Sequence, residues 1–476
     1  MARGQWLGPS VPGPESDVTT FVRVPRTYDF TSPMVHCYMF KESVDAACAA
    51  APVQSPVVVR TTTHVGRYPP AYYLAVGWPS LLTSNVAGTY LMGTTSAVLC
   101  AAFLALALAT ARRWSTSALM VPALAVAATP MALFMASSVN PSGLEIAAAV
   151  AMWTAAAILV SEHLESPPKM LVAVLAVSTA ALVWTRPTAL AWPVVATAVL
   201  APVAWRRVRH GVARRGYVLA WGGALGVSGA GAALWVVLAH ATSVLENFAP
   251  LPASSSFGHI VSFVVGRFPS LLAQAVGNFG WLDTPVPRLV LVAWAVLGAA
   301  LVGVAMVRGS RPARWSLLLA VLASFLVPVV SMVAAAPSYG YVGQGRYFLA
   351  IWAGVPLIAA AFAGLRHTAR LARPIMVAAG LLLAGGQAVA FYWALRRNMV
   401  GIPGPWDLSS ARGQLPWHPP VPGWWLVGIF AALCGVYGVA IGRQVEWGAP
   451  ESPQNVRGVP TSHTSTSTVP ASLSLR

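Results

Sequence analysis

VAGTYLMGTTSAVLCAAFLALALATARR, residues 86–113, decides the fold class. No charged residue interrupts it before the pair Arg112 and Arg113. A bilayer core asks for about 20 apolar residues per helix, with a range of about 17–25. An apolar run of this length closed by two arginines reads as a membrane span that ends on the cytoplasmic side.

Ten further runs of this kind follow, near 117–136, 141–160, 170–186, 188–205, 217–241, 288–307, 315–336, 348–365, 374–395 and 424–442. Composition agrees with them. In a chain of 476 residues that is 57% hydrophobic and 9% charged, with mean hydropathy +0.66, most of the surface must be solvated by lipid. The expectation is an all-α integral membrane protein of about 11 transmembrane helices. In a soluble protein the net charge of +17 would suggest nucleic acid. Here the basic residues sit between apolar runs, where topology selection places them, which argues against that partner.

The basic clusters occupy every second gap: Arg112 and Arg113, RRVRHGVARR at 206–215, RGSRPAR at 308–314 and RHTARLAR at 366–373. Those gaps are assigned to the cytoplasm. The gaps around Asn140, Arg186, 242–287, 337–347 and 396–423 then lie outside. This divides the multi-pass cell-membrane chain into an extracytoplasmic segment 1–85, a transmembrane domain 86–442 and a Ser/Thr/Pro-rich cytoplasmic tail 443–476, which reads as disordered.

Within VGRYPPAYYLAVGWPSLL, residues 65–82, the stretch 71–83 reads as a helix along the outer interface, with Tyr72, Tyr73 and Trp78 at headgroup level. A translocated segment of this length normally follows a signal or a helix. MARGQWLGPSVPG contains no apolar h-region, so one more transmembrane helix is expected upstream of Met1, the alternative being translocation of the N-terminal tail by the span at 86–110.

Cys100 and Cys434 fall inside apolar runs, as small packing residues do. Cys37 and Cys48 lie eleven residues apart in the polar N-terminal segment, and an extracytoplasmic location permits a disulfide between them. The nearby His36 and His64 complete no zinc-finger spacing.

Several polar residues gather at the expected outer ends of the spans, each with a functional and a plain structural reading. In VGRYPP, Arg67 with Tyr68 suits an anionic headgroup or phosphate through its planar guanidinium; the alternative is a snorkelling arginine. SSVNPSGLE, residues 137–145, is a helix start with Asn140 as N-cap and Pro141 at the first helical position. Glu145, about 7 Å further along the axis, either complements the helix dipole or faces the bundle as a functional carboxylate. Arg186 in WTRP is a phosphate ligand or a snorkelling residue. Asp283 in NFGWLDTPVP is a candidate acid or base, or a turn cap. GQGRYF, residues 343–348, combines two glycines with Gln344, Arg346 and Tyr347, and reads either as a recognition loop for phosphate or sugar or as an anchoring Arg-Tyr pair. No Walker A loop, HExxH or GxSxG occurs, and GGALGVSGAG at 222–231 is better read as a packing face than as a dinucleotide site.

RYPPAYY, SSVNPSGLE, NFGWLDTPVP and QGRYF, in this order, resemble a family of bacterial, often actinobacterial, polytopic membrane proteins with a domain of unknown function. That family is in turn similar to GT-C glycosyltransferases, and the likeness covers most of residues 1–442. It implies an integral membrane glycosyltransferase that moves a sugar from a polyprenyl-phosphate donor to an envelope glycan, lipid or protein acceptor on the outer face. Arg67, Arg186 and Arg346 would meet the lipid phosphate, and Asp283 or Glu145 would position sugar or acceptor. The resemblance places a catalytic Asp-Glu pair on a loop before GQWLGPSVPG, hence upstream of Met1. It fixes no cofactor and leaves a divalent metal open. The rival expectations are a transporter or flippase of envelope precursors, which would need ionisable residues at the bilayer midplane, and a noncatalytic assembly protein.

Overall fold

The computed structural model describes residues 3–4, 7, 10–12, 18–29, 37–49, 53–63, 65–162, 164, 168–209, 222–241, 251–252, 255–365, 372–408 and 419–447. Much of 206–215, most of 366–373, His36, His64 and the tail from 448 lie outside the described residues or their side chains.

The chain is an all-α integral membrane protein. Among the described residues nine helices are long and apolar enough to cross a membrane, or ten with one bent pair counted as a single span. The opening run forms α2, Val86–Trp114, preceded by the short α1, Pro70–Gly77. Asn85 caps α2 by accepting the Ala87 N–H, and Arg112 and Arg113 occupy its last turn, where cations complement the helix dipole. Run 117–136 is not one straight helix. It forms α3, Met120–Ala127, and α4, Pro130–Ser137, bent by 61°. The cause is local: Thr129 is extended and caps α4, Pro130 takes its first position, and the Thr129 hydroxyl donates to the Ala275 carbonyl at 2.8 Å.

The centre of the bundle is α5, Pro141–Ser161, buried along almost its whole length. Its stretch IAAAVAMWTAAAI, residues 146–158, is mostly alanine, and small side chains let neighbouring helices approach from every side. Trp153 is the exception in size. Its indole fills the space at Gly354, where a Cβ would come within 2.5 Å of the ring, and it donates to the Ala350 carbonyl at 2.9 Å.

The remaining helices are α6, Lys169–Val183; α7, Ala191–Arg209; α8, Gly229–Leu238, entered through a π-helical turn; α9, Phe257–Gly277; α10, Arg288–Arg308; α11, Arg311–Tyr339; α12, Leu349–Trp352; α13, Gly354–Phe362; α14, Ala372–Val400; and α15, Gly423–Trp447. Runs 170–186 and 217–241 correspond to apolar helices shorter than a full span. Conversely, residues 242–287, read as one outer loop, contain α9. Its buried Ile260, Val264, Leu271 and Ala275 form one stripe, whereas His259, Ser262, Arg267 and Ser270 interrupt the run. A helix with one apolar face leaves no continuous apolar segment in the sequence. Phe263 stacks on Tyr341 with ring centroids 4.0 Å apart, and Gln274 bonds Gly345, so this part of α9 follows the loop 340–345.

The N-terminal segment holds an antiparallel sheet in the order β1 (Ser10–Pro12), β2 (Val18–Pro25), β3 (Val58–Thr63). VTTFVRVP and VVRTTT are rich in β-branched residues, which suit a pleated surface. A hairpin, β4 (Asn278–Phe279) with β5 (Thr284–Pro285), follows α9. Tyr72 of α1 is not at a surface level. It is 1% exposed, with its hydroxyl 3.0 Å from the Ser96 hydroxyl, while Trp78 stays about half exposed.

The gaps fall into two groups at opposite ends of the bundle. Thr116 donates to Glu162, Ala118 to the Leu365 carbonyl, and Gly309 lies beside Phe362, which gathers the gaps carrying Arg112, Arg113, Arg308, Arg311 and Arg314 at one end. The opposite end carries Arg67, Asn140, Arg186, the β4–β5 hairpin and the loop before α12.

Candidate functional site

At that opposite end, Arg186 leaves α6 in extended conformation, since the following proline disfavours the helical region. Its guanidinium lies over the Tyr347 ring, 4.4 Å from the centroid. It donates to Glu145 Oε2 at 3.4 Å and to the Ser142 hydroxyl at 3.2 Å, and the Tyr68 hydroxyl lies close enough to interact with it. Glu145 Oε1 accepts the Trp192 Nε1–H at 2.6 Å. Asn140 caps α5 through the Ser142 N–H at 2.9 Å and so sets the first turn that carries Ser142 and Glu145.

Arg346 joins the same group from the 3-10 turn Gly345–Phe348. Its guanidinium is 5.5 Å from the same Tyr347 ring, which puts it within about 10 Å, one Debye length at 0.1 M salt, of Arg186. The turn is seated by Gly345, whose N–H donates to Gln274 Oε1 at 2.9 Å and whose missing Cβ makes room for the Leu271 carbonyl.

Arg67 stands nearby in sequence to Tyr68. Its Nη1 donates to the Ala239 carbonyl at 3.1 Å, and Trp235 donates to the carbonyls of Arg67 and Tyr68. Among the described residues neither Arg67 nor Arg346 has a carboxylate within ion-pair distance; Arg186 has Glu145. Four shielded polar atoms in these segments, Arg67 Nε, Tyr73 Oη, Gln344 Oε1 and Arg346 Nε, lack a hydrogen-bond partner among the described residues. Other such atoms, Trp393 Nε1 and Arg397 Nε among them, lie elsewhere in the chain.

An apolar cavity of about 740 Å³ lies among α9, α10, α11 and the helices that follow the Arg346 turn. Thr129, Phe268, Trp294, Leu349 and Trp352 are among the residues that line it, so its wall continues along the chain that carries Arg346.

Asp283 belongs to a separate junction. It is 8% exposed, accepts the Phe40 N–H at 3.0 Å and pairs with Arg397 at 3.5 Å. Arg397 also donates to the carbonyls of Tyr38, Lys41 and Val44, all within the loop closed by a Cys37–Cys48 disulfide. Burial pushes the Tyr38 phenol above its ordinary range; Arg397 opposes that shift and Asp283 adds to it. Asp283 and Glu145 are thus each engaged with an arginine, in different places. Among the described residues no three His, Cys, Asp or Glu side chains come together as a metal site.

The profile of a family of predicted membrane proteins, DUF2142, matches residues 4–355. The chain belongs to the DUF2142 family. No curated protein and no solved structure matches it. In this DUF2142 protein the matched region contains Arg67, Glu145, Asp283, Arg186 and Arg346, and ends before Arg397. Trp192 and Gln274 were not distinguishable in the sequence. Trp192 sits inside an apolar run where an indole passes for a hydrophobe, and Gln274 is one polar residue on an amphipathic helix.

Proposed function

We propose that this protein is an integral membrane glycosyltransferase whose arginine cluster holds the phosphate of a polyprenyl-phosphate sugar donor, and which passes the sugar to an envelope acceptor. One observation carries the reading: Arg186 and Arg346 both lie against the Tyr347 ring, Glu145 is the one carboxylate paired with them among the described residues, and Leu349 and Trp352, which follow Arg346 in the chain, line an apolar cavity. Guanidinium groups this close repel each other, and an oxyanion relieves that repulsion while using their planar donors. The cavity supplies an apolar neighbour for the same ligand, which fits a phosphate carried on a hydrocarbon chain better than a free anion.

In the reaction the glycosidic C–O bond to the donor phosphate breaks, the acceptor oxygen bonds the anomeric carbon, and the acceptor's hydroxyl proton passes to the departing phosphate or to solvent. The departing phosphate gains negative charge as that bond breaks. Arginines placed at this oxygen stabilise the transition state more than the ground state, which is what acceleration requires. The end opposite the basic gaps at 112–113, 206–215, 308–314 and 366–373 is assigned to the outer leaflet by the positive-inside rule, so donor and acceptor would meet there.

The test is to supply membranes containing the full-length protein with radiolabelled polyprenyl-phosphate sugars. Transfer of label dependent on Arg346 is expected. Absence of both donor binding and donor consumption would remove the enzymatic reading.

A further inference from the structure

Glu145 looks like a catalytic carboxylate in the sequence, but its surroundings suit another task. It is 1% exposed, and each of its oxygens already has a donor: Trp192 Nε1 at 2.6 Å on Oε1 and Arg186 Nη1 at 3.4 Å on Oε2. An acceptor hydroxyl would have to displace the indole or the guanidinium to reach it. The carboxylate is itself well fixed, because it projects from the first turns of the most buried helix, whose start is set by the Asn140 cap and Pro141. The Arg186 guanidinium is therefore held on one side by Glu145 and Ser142 and on a face by Tyr347. The Tyr68 hydroxyl also lies against it, and the donors that these partners do not take are left for the cluster.

We infer that Glu145 is a positioning residue: with Trp192 it orients Arg186 so that a fixed edge of the guanidinium meets the oxygens of a lipid-linked phosphate. The inference rests on the phosphate reading above. It also makes a prediction whose sign separates it from simple electrostatics. Glu145 is the only carboxylate paired with the cluster among the described residues. If it acted through charge alone, neutralising it would leave the site more positive and tighten anion binding. If it orients Arg186, the same change weakens binding although the net charge has moved the favourable way.

The experiment measures farnesyl phosphate binding to the purified full-length protein in detergent, with inorganic phosphate as a parallel probe to separate lipid-borne from free phosphate. Glu145→Gln is expected to weaken farnesyl phosphate binding by about tenfold, the scale of one charge-assisted hydrogen bond. Trp192→Phe leaves the charge untouched and removes the 2.6 Å bond; it is expected to weaken binding in the same direction with an unchanged salt slope. Adding Glu145→Gln to Arg186→Ala should cost nothing further, since a residue acting through Arg186 has no effect once Arg186 is gone. Equal or tighter binding by folded Glu145→Gln overturns the proposal. If that variant does not fold, wild-type binding by Trp192→Phe overturns it instead. A wild-type protein that binds neither probe overturns the phosphate reading and this inference together, whereas binding of inorganic phosphate alone overturns only the lipid-borne part.

Discussion

Arg397, at the end of α14, reaches Asp283 of the β4–β5 hairpin at 3.5 Å, and the same guanidinium donates to three carbonyls of the disulfide-closed loop 37–48. One buried cation thus ties three separate parts of the chain together. Removing a single partner of a buried pair leaves the other charge uncompensated, at a cost of about 3–5 kcal/mol. Arg397→Ala is expected to lower the thermal unfolding midpoint in detergent strongly. Asp283→Ala should do likewise, and the double variant should lose less than the two single losses combined. Strict additivity would contradict the pairing.

Cys37 and Cys48 close the loop that Arg397 grips. A cross-link over so short a loop stabilises by about 2–3 kcal/mol in the chain-entropy picture. A Cys37→Ser, Cys48→Ser double variant should therefore unfold at lower temperature. In the wild type, maleimide should reach these two thiols only after reduction. Labelling of unreduced protein at either position would count against the bond.

Gly345 is confined by the Leu271 carbonyl and by Gln274. Alanine there must push the Arg346 turn away from α9, with an overpacking cost of about 1–3 kcal/mol. Gly345→Ala should consequently lose farnesyl phosphate binding while still being inserted in the membrane. Gly428, which has open space where its Cβ would lie and stands away from the apolar cavity, serves as the control, and Gly428→Ala should bind as the wild type does.

Much of this fold was legible because a bilayer reads sequence crudely: long apolar runs and arginines between them leave few arrangements. The helix start at Asn140-Pro141 was equally visible, since capping is a local property. What escaped notice depends on partners far away in sequence. The bend at Thr129 needs the Ala275 carbonyl, and α9 shows only a one-sided stripe because its other face lies outside the core. The Arg186–Glu145–Trp192 arrangement joins residues more than 40 positions apart, so the sequence could offer the arginine and the carboxylate as candidates without revealing that they hold each other. The N-terminal sheet was passed over for a different reason: its short strands stand among turn-forming residues in a segment with no apolar run.

Orientation is open to direct measurement. With Cys100 and Cys434 replaced, a cysteine introduced at Val342 should react with an impermeant maleimide on intact cells, and one at Ser310 only after permeabilisation. The reverse pattern would place the arginine cluster on the cytoplasmic side and remove an outer-face acceptor.

The most direct measurement of the central claim is the affinity of the full-length protein for farnesyl phosphate before and after Arg346→Ala, at low and raised salt. Loss of a guanidinium that meets a phosphate should weaken binding by ten- to a hundredfold, roughly 1.5–3 kcal/mol for a hydrogen bond to a charged group, and should flatten the salt dependence. Unchanged affinity and an unchanged salt slope would show that the phosphate, if bound, does not sit on the arginine cluster.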